Sequence, residues 1–453
     1  MDTTSNHSML FSINPYSHTT IALYEEDSFA SIKDKVTAAY SFEFERKEIT
    51  PLLLELALLL RNDCESLAHL ITDEMGKPIV QSRAEIEKCA VLCEYYAANA
   101  SSFLEDEIIE SDAKLSFVRK APFGVWLAIM PWNFPFWQVF RCAVPAIAAG
   151  NRIILKHASN VTGCAVAIEE LFVKAGFQIP VLQIIKVRSS LLTEVISNPM
   201  IAGLSLTGSE AAGRSATSIA AANLKPQILE LGGSNAFIVM EDADIEFAAG
   251  QAVIGRFQNS GQSCIAAKRI LVHESVYAQF LSVFKEKVQK LVSGNPLSEY
   301  VYLGPLAKEE MAIEIHRQVN ESVKRGAIME CGGKMKEAFY EPTILTNVTL
   351  DMPCMQEEVF GPVVPVVSYS TLDEAIKISN STSFGLGVSL FTQDIERAKG
   401  LIDRFNEGAV FINSFVKSDP RLPFGGVKNS GYGRELSKEG LLAFTQSKTV
   451  YLH

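Results

Sequence analysis

The chain has 453 residues, enough for two or three domains. Its 48% apolar and 21% charged composition is that of an ordinary globular protein, and a net charge of −11 argues against nucleic acid or an anionic membrane as a main partner. Eight scattered cysteines without a CxxC pair exclude a disulfide scaffold, and seven histidines show no HExxH-type ligand spacing.

The amino-terminal stretch MDTTSNHSMLFSINPYSH lacks the basic start and apolar block of a signal peptide. The apolar run from Leu52 to Leu60 is interrupted by Glu55 and is too short to span a bilayer, so a cytoplasmic protein is expected. From Ile49 to Leu104 the pattern is helical, with Ile86, Ala90, Cys93 and Ala97 at three- and four-residue spacing. Met75-Gly76-Lys77-Pro78 should break this region into two helices. Cys89 and Cys93 have the spacing of two helical metal ligands, but without a His or further cysteines nearby they read as core residues.

Strand-like segments follow at Leu115 to Arg119 and Val125 to Met130, the second ending at Pro131. Strands are then expected at Ile153 to Leu155, Val181 to Val187 and Gly203 to Leu206, alternating with helices at Gly163 to Ala175 and Ser209 to Ala222. Such alternation indicates a doubly wound, mostly parallel sheet that binds ligands at the carboxyl ends of its strands. A second alternating block runs from Ala236 to about Phe415, which implies two α/β domains with a cleft between them.

Three segments stand out chemically. Cys264 follows Asn259-Ser260-Gly261-Gln262-Ser263, a polar turn, and is either an inert thiol or a nucleophile. Glu230, in Leu229-Glu230-Leu231-Gly232-Gly233, is either a solvated turn residue or a base. Pro131-Trp132-Asn133-Phe134-Pro135 is a stiff loop, either simply packed or aiming the Asn133 amide at a ligand.

These segments occur in one order with Leu206-Thr207-Gly208-Ser209, Glu357-Glu358-Val359-Phe360-Gly361-Pro362 and Pro423-Phe424-Gly425-Gly426. The set resembles the aldehyde dehydrogenase superfamily, over nearly the whole chain from Asn14-Pro15 to Ser447-Lys448. The resemblance implies a Rossmann-like cofactor domain (1–103 and 122–229), an α/β catalytic domain (230–431) and a small β oligomerisation arm (104–121 and 432–453). It implies that Cys264 adds to an aldehyde carbonyl to give a thiohemiacetal and then a thioester. Asn133 and the Cys264 N–H would hold the oxyanion, and Glu230 would activate the hydrolytic water.

No GxGxxG follows an early strand; instead Gly208 and Ser209 open a helix, with Gly213 five residues beyond Gly208. A helix N-terminus with a serine cap suits a pyrophosphate. By resemblance Ser209 bonds a phosphate, Lys156 grips the adenine ribose, Glu358 binds the nicotinamide ribose, Phe360 flanks the nicotinamide and Trp132 adds backbone contacts. Many relatives that use NAD carry Glu three residues after this lysine, where its charge repels a 2′-phosphate. Here that residue is Ser159, so the cofactor reading is NAD(P) with a lean to NADP.

Within the superfamily the sequence is most similar to short bacterial succinate-semialdehyde dehydrogenases. By that resemblance Arg141, eight residues after Asn133, would bind a substrate carboxylate, unless it is paired with a local acid. Ser418 would lie near the same carboxylate, Phe424 would line the site, and Arg421 is a further candidate. Where some relatives have a second arginine, six residues before the nucleophile, this chain has Gln258. Where they have a second cysteine, two residues after it, this chain has Ala266, which removes that disulfide switch. Oxidation of glutarate semialdehyde or another small aldehyde is the alternative. Glu230 argues against a CoA-acylating enzyme, and the intact trio against a non-catalytic protein. A homodimer or homotetramer is expected.

Overall fold

The computed structural model describes residues 9–43 and 46–453, so the first eight residues of the amino-terminal stretch read above lie outside the described residues. The early helical region forms three helices, Ile49–Asn62, Cys64–Met75 and Ile79–Phe103. The break at Gly76 is as expected: its left-handed φ of +77° ends a helix, and its N–H caps the Thr72 carbonyl. The break at Asp63 is unannounced, because no glycine or proline marks it. Ile86, Cys89, Ala90 and Cys93 are fully buried, so the two cysteines are core residues.

Five parallel strands form the first sheet in the chain order Val125–Met130, Arg152–His157, Leu182–Ile184, Ile201–Thr207 and Gln227–Glu230. In space the third, second, first, fourth and fifth follow one another, so the winding reverses between Val125–Met130 and Ile201–Thr207. Ligands bind outside the carboxyl ends of the strands at such a switch point. The chain leaves those two strand ends as Pro131-Trp132-Asn133 and as Gly208-Ser209.

The second sheet has seven strands, in the spatial order Ile328–Cys331, Thr343–Thr346, Val363–Tyr369, Ala267–His273, Asn235–Val239, Val388–Phe391 and Val410–Ile412. All neighbours are parallel except the first pair. Cys264 lies three residues before one of its central strands, Ala267–His273.

A third sheet pairs Thr445–Leu452 with Leu115–Pro122, and that strand with Glu107–Ile108. The segment 432–453 expected to form the arm is therefore divided. Gly431–Tyr432 pairs with Gln227–Glu230 at the edge of the first sheet, and Leu441 and Phe444 are buried in the core; only Thr445–Leu452 joins the small sheet. The hydrophobic periodicity of 437–444 is a packing signal, and it ties this stretch to the body. Among the described residues no helix is long and apolar enough to cross a membrane.

Candidate active site

The loop before Cys264 is held in an unusual backbone conformation. Asn259, Ser260 and Gly261 all have positive φ, of 55°, 53° and 75°. A Cβ on Gly261 would stand 2.4 Å from the Gly361 carbonyl oxygen, so only glycine fits there. The strain of two non-glycine residues in the left-handed region is offset by tethers. The Asn259 amide donates to the Asn133 and Gln262 carbonyls at 2.7 and 3.1 Å, and the Asn259 N–H donates to Gln81 Oε1 at 2.7 Å. Burial pushes the Cys264 thiol up to about 11, with Arg141 and Lys268 pulling it down, so it rests as a thiol at neutral pH.

Asn133 is brought to the same place by the loop after Val125–Met130. Its Nδ2 donates to the Gln262 carbonyl at 3.2 Å, which occupies one of its two amide hydrogens. The Cys264 N–H has no protein partner among the described residues. The proline-bracketed loop is fixed from beneath by Glu85, whose Oε1 accepts from the Phe136 and Trp137 N–H groups at 2.9 and 3.0 Å. Glu85 Oε2 is ion-paired with buried Lys77, whose ammonium lies 3.8 Å from the Phe134 ring centre. Truncating one member of such a buried pair would strand the other charge, a cost of about 3–5 kcal/mol. His157 closes the far side. Its Nε2–H donates to the Pro135 carbonyl at 2.9 Å and its Nδ1 accepts from the Ala158 N–H at 2.9 Å, and burial holds its pKa down at about 4, so it is neutral.

Glu230 ends the strand Gln227–Glu230 and is buried without a hydrogen-bond partner for either carboxylate oxygen. Burial, and then the neighbouring Glu435 carboxylate, push its pKa well above the usual carboxylate range, while Arg141 and Arg434 oppose this. Gly425 leaves it room, since a Cβ there would stand 2.7 Å from Glu230 Oε1.

Cys264 forms part of the wall of two cavities. One, of about 270 Å³, is lined by Trp132, Asn133, Gly208, Ser209, Glu358 and Phe360 among others. The other, of about 180 Å³, is lined by Lys88, Arg141, Gln258, Ser418 and Phe424 among others. Glu230 lines neither.

In the larger cavity, Ser209 caps the Glu210–Ala222 helix, its Oγ accepting from the Ala212 N–H at 3.3 Å, which leaves its own hydrogen free to donate. Glu358 is held by an ion pair with Lys268 and accepts from the Gly233 N–H at 3.1 Å. Phe360 meets Trp132 edge-on at 5.8 Å between ring centres. Buried Arg256 bonds the Val359, Gly361 and Val363 carbonyls and so fixes the loop that carries both Glu358 and Phe360. Lys156 is the last but one residue of the strand Arg152–His157, and Ser159 begins the next turn; neither lines this cavity. Burial, and then the nearby Lys308 charge, lower the Lys156 pKa. Gly213 does not line it either. A Cβ there would stand 2.6 Å from the Leu231 side chain, so this glycine serves helix packing.

In the smaller cavity, Arg141 is engaged within the protein. Its Nε is ion-paired with buried Glu435, its Nη2 donates to Thr207 Oγ1 at 3.3 Å, and its guanidinium lies 4.6 Å from the Phe424 ring centre. Arg421, a further candidate from the sequence, is turned outward and paired with Asp419 at 2.6 Å, and it lines neither cavity. Lys88, Gln138, Lys268 and Glu435 were not singled out from the sequence. Gln81, Ala84, Glu85 and Lys88 recur at helical spacing and line the smaller cavity as one face. That stripe was the available signal, but a polar helical face ordinarily reads as solvated.

The aldehyde dehydrogenase family profile matches residues 2–450. A probable NADP(+) succinate-semialdehyde dehydrogenase of Synechocystis sp. is 46% identical over 403 residues, covering 88% of this chain and 89% of its own length. An NADP(+) succinate-semialdehyde dehydrogenase of Mycobacterium avium is 42% identical over 452 residues, covering 97% of this chain and 96% of its own. The crystal structure of the Streptococcus pyogenes succinic semialdehyde dehydrogenase in complex with NADP+ superposes with a TM-score of 0.95 at 33% identity, covering 98% of this chain and 99% of that one. With a switch-point cavity, a cysteine shared by two pockets and a family match along almost its full length, this chain belongs to the aldehyde dehydrogenase family.

Proposed function

We propose that the protein oxidises succinate semialdehyde to succinate with NADP+. The observation that carries this reading is that Cys264 belongs to the walls of two cavities at once. One has a helix N-terminus and an aromatic pair, and the other has cationic and hydroxyl side chains suited to a short aldehyde with a terminal carboxylate. The named relatives support the same substrate and cofactor.

The larger cavity fits a nicotinamide dinucleotide. Ser209 and the helix N-terminus would hold the pyrophosphate, Glu358 a ribose, and Trp132 and Phe360 the nicotinamide face. Lys156 and Ser159 would hold the adenosine end. Among the described residues Lys156 has no carboxylate partner, and its proximity to Lys308 favours a 2′-phosphate over a plain hydroxyl. When bound, this group supplies the two-electron acceptor of the oxidation.

The chain's own residues do the rest. Cys264 Sγ adds to the aldehyde carbon, and its proton leaves to solvent or to a nearby base. The carbonyl oxygen becomes an oxyanion that accepts hydrogen bonds from the free Asn133 amide N–H and the Cys264 N–H. After oxidation the acyl group remains on Sγ as a thioester. Glu230 then takes a proton from water, which attacks the thioester carbon and expels the Cys264 thiolate. Because Glu230 lies outside both cavities, it must rotate about its side-chain bonds to do so. Its elevated pKa makes it a stronger base than an exposed glutamate.

We assign residues 1–103 and 122–229 to cofactor binding, residues 230–431 to the catalytic part, and the three-stranded sheet to self-association. The outer strand Thr445–Leu452 offers an unpaired edge that a second copy can cover in a dimer or tetramer. All eight cysteines are unpaired, which suits a reducing cytoplasm.

The test is E230Q mixed with succinate semialdehyde and NADP+ and then quenched in acid. The expected outcome is one rapid turnover followed by arrest, with the succinyl mass on the Cys264 peptide. Steady turnover without that mass would contradict the assigned base.

A further inference from the structure

The smaller cavity presents three cations, and they differ in what they are doing. Arg141 faces Glu435 and Thr207 as described above. Lys417 is exposed to solvent. Lys88 projects from the Ile79–Phe103 helix, and its ammonium donates to Ser418 Oγ at 2.6 Å and lies 4.1 Å from the Trp137 ring centre. No carboxylate among the described residues pairs with it.

Each acid close to Lys88 is already taken. Glu85 gives one oxygen to Lys77 and the other to the Phe136 and Trp137 N–H groups. Asp419 gives both oxygens to Arg421, at 2.8 and 2.6 Å. Glu435 faces Arg141. A half-buried ammonium with only a hydroxyl and an aromatic face as partners is incompletely satisfied, and an added carboxylate would complete it.

Resting on the succinate-semialdehyde reading, we propose that Lys88, together with the Ser418 hydroxyl, is the group that binds the substrate's terminal carboxylate. Arg141 is then a positioning residue that holds Glu435 beside Glu230. Ser418 keeps both partners in register: its oxygen accepts from Lys88, and its hydrogen is free to donate to a second carboxylate oxygen. The preference this creates is for aldehydes carrying a negative charge at the far end of a short chain. The dehydration of Lys88 supports the same reading. Burial, and then the Arg141 charge, bring its pKa down to about 8, against weaker opposing pulls from Cys89, Glu85 and Asp419.

The experiment compares Lys88→Met, Lys88→Arg and Arg141→Met with the unaltered protein, using succinate semialdehyde and the uncharged butanal, with NADP+ saturating. For Lys88→Met the KM for succinate semialdehyde should rise by about 30-fold or more, and the preference over butanal should fall by the same factor. Lys88→Arg should restore most of that preference. Inhibition of butanal oxidation by succinate should weaken in parallel, a readout that misfolding would not imitate. Arg141→Met should lower kcat more than it raises that KM. An unchanged KM and preference in Lys88→Met would overturn the proposal while leaving the substrate reading intact. If the unaltered protein oxidises butanal as well as succinate semialdehyde, both readings fall.

Discussion

The two cavities that meet at Cys264 are built in different ways. The larger one is made from strand ends and short motifs: Trp132 and Asn133 leave one strand, Gly208 and Ser209 leave its neighbour, and Glu358 and Phe360 share one loop. Backbone position does most of the work there. The smaller one is made from side chains contributed by distant parts of the chain: Lys88 from a helix, Arg141 from the next, and Ser418 from a loop 330 residues beyond Lys88. The first is a general site for a dinucleotide, and the second is where selectivity for one aldehyde is written. Changes to the shared wall should therefore damage every substrate and cofactor pair, whereas changes on either side should move one specificity and spare the other.

The largest effect short of removing the thiol belongs to the oxyanion donor beside Cys264, which every aldehyde needs. N133A withdraws an oxyanion donor and should lower kcat by about 100- to 1,000-fold with every aldehyde and either cofactor. Steady-state rates across an aldehyde panel would check this, and a loss confined to one substrate would break the division between the cavities.

On the cofactor side, S159E places a carboxylate beside the lysine expected to serve the adenosine end. The ratio of kcat/KM for NADP over NAD should fall by about tenfold or more, with the aldehyde KM nearly constant. The smallest effect is a pH dependence on the aldehyde side. Lys88, with its pKa near 8, is charged below that pH and neutral above it. The KM for succinate semialdehyde should therefore rise several-fold (roughly) from pH 7 to 9, and that for butanal should not follow. Burial lowers this value most and the Arg141 charge lowers it further, while Cys89, Glu85 and Asp419 pull the other way.

The same contrast explains what could be read without coordinates. The alternation after Val125 announced the doubly wound sheet, and the Asn133, Ser209, Glu358 and Cys264 segments are local, so their cavity was legible in order along the chain. Pairings between remote residues were not. Nothing near Arg141 in sequence announces Glu435, and nothing near Lys88 announces Ser418, because these contacts follow from how helices pack on the sheet. The helix break at Asp63 was hidden for a related reason: Asn62, Asp63 and Cys64 are weak helix formers, but without a glycine or proline they do not by themselves mark where a helix stops. Gly213 resembled part of a phosphate motif, yet it is held to glycine by Leu231. The division of residues 432–453 was missed because burial of Leu441 and Phe444 depends on the first sheet and its helices.

The most direct test is nicotinamide reduction with succinate semialdehyde, run in parallel with NADP+ and NAD+ and with C264A as the control. The account predicts rapid NADPH formation, much slower reduction of NAD+, and loss of both in C264A by at least about 10,000-fold. Reduction that persists in C264A, or an enzyme that ignores succinate semialdehyde while oxidising uncharged aldehydes, would contradict it.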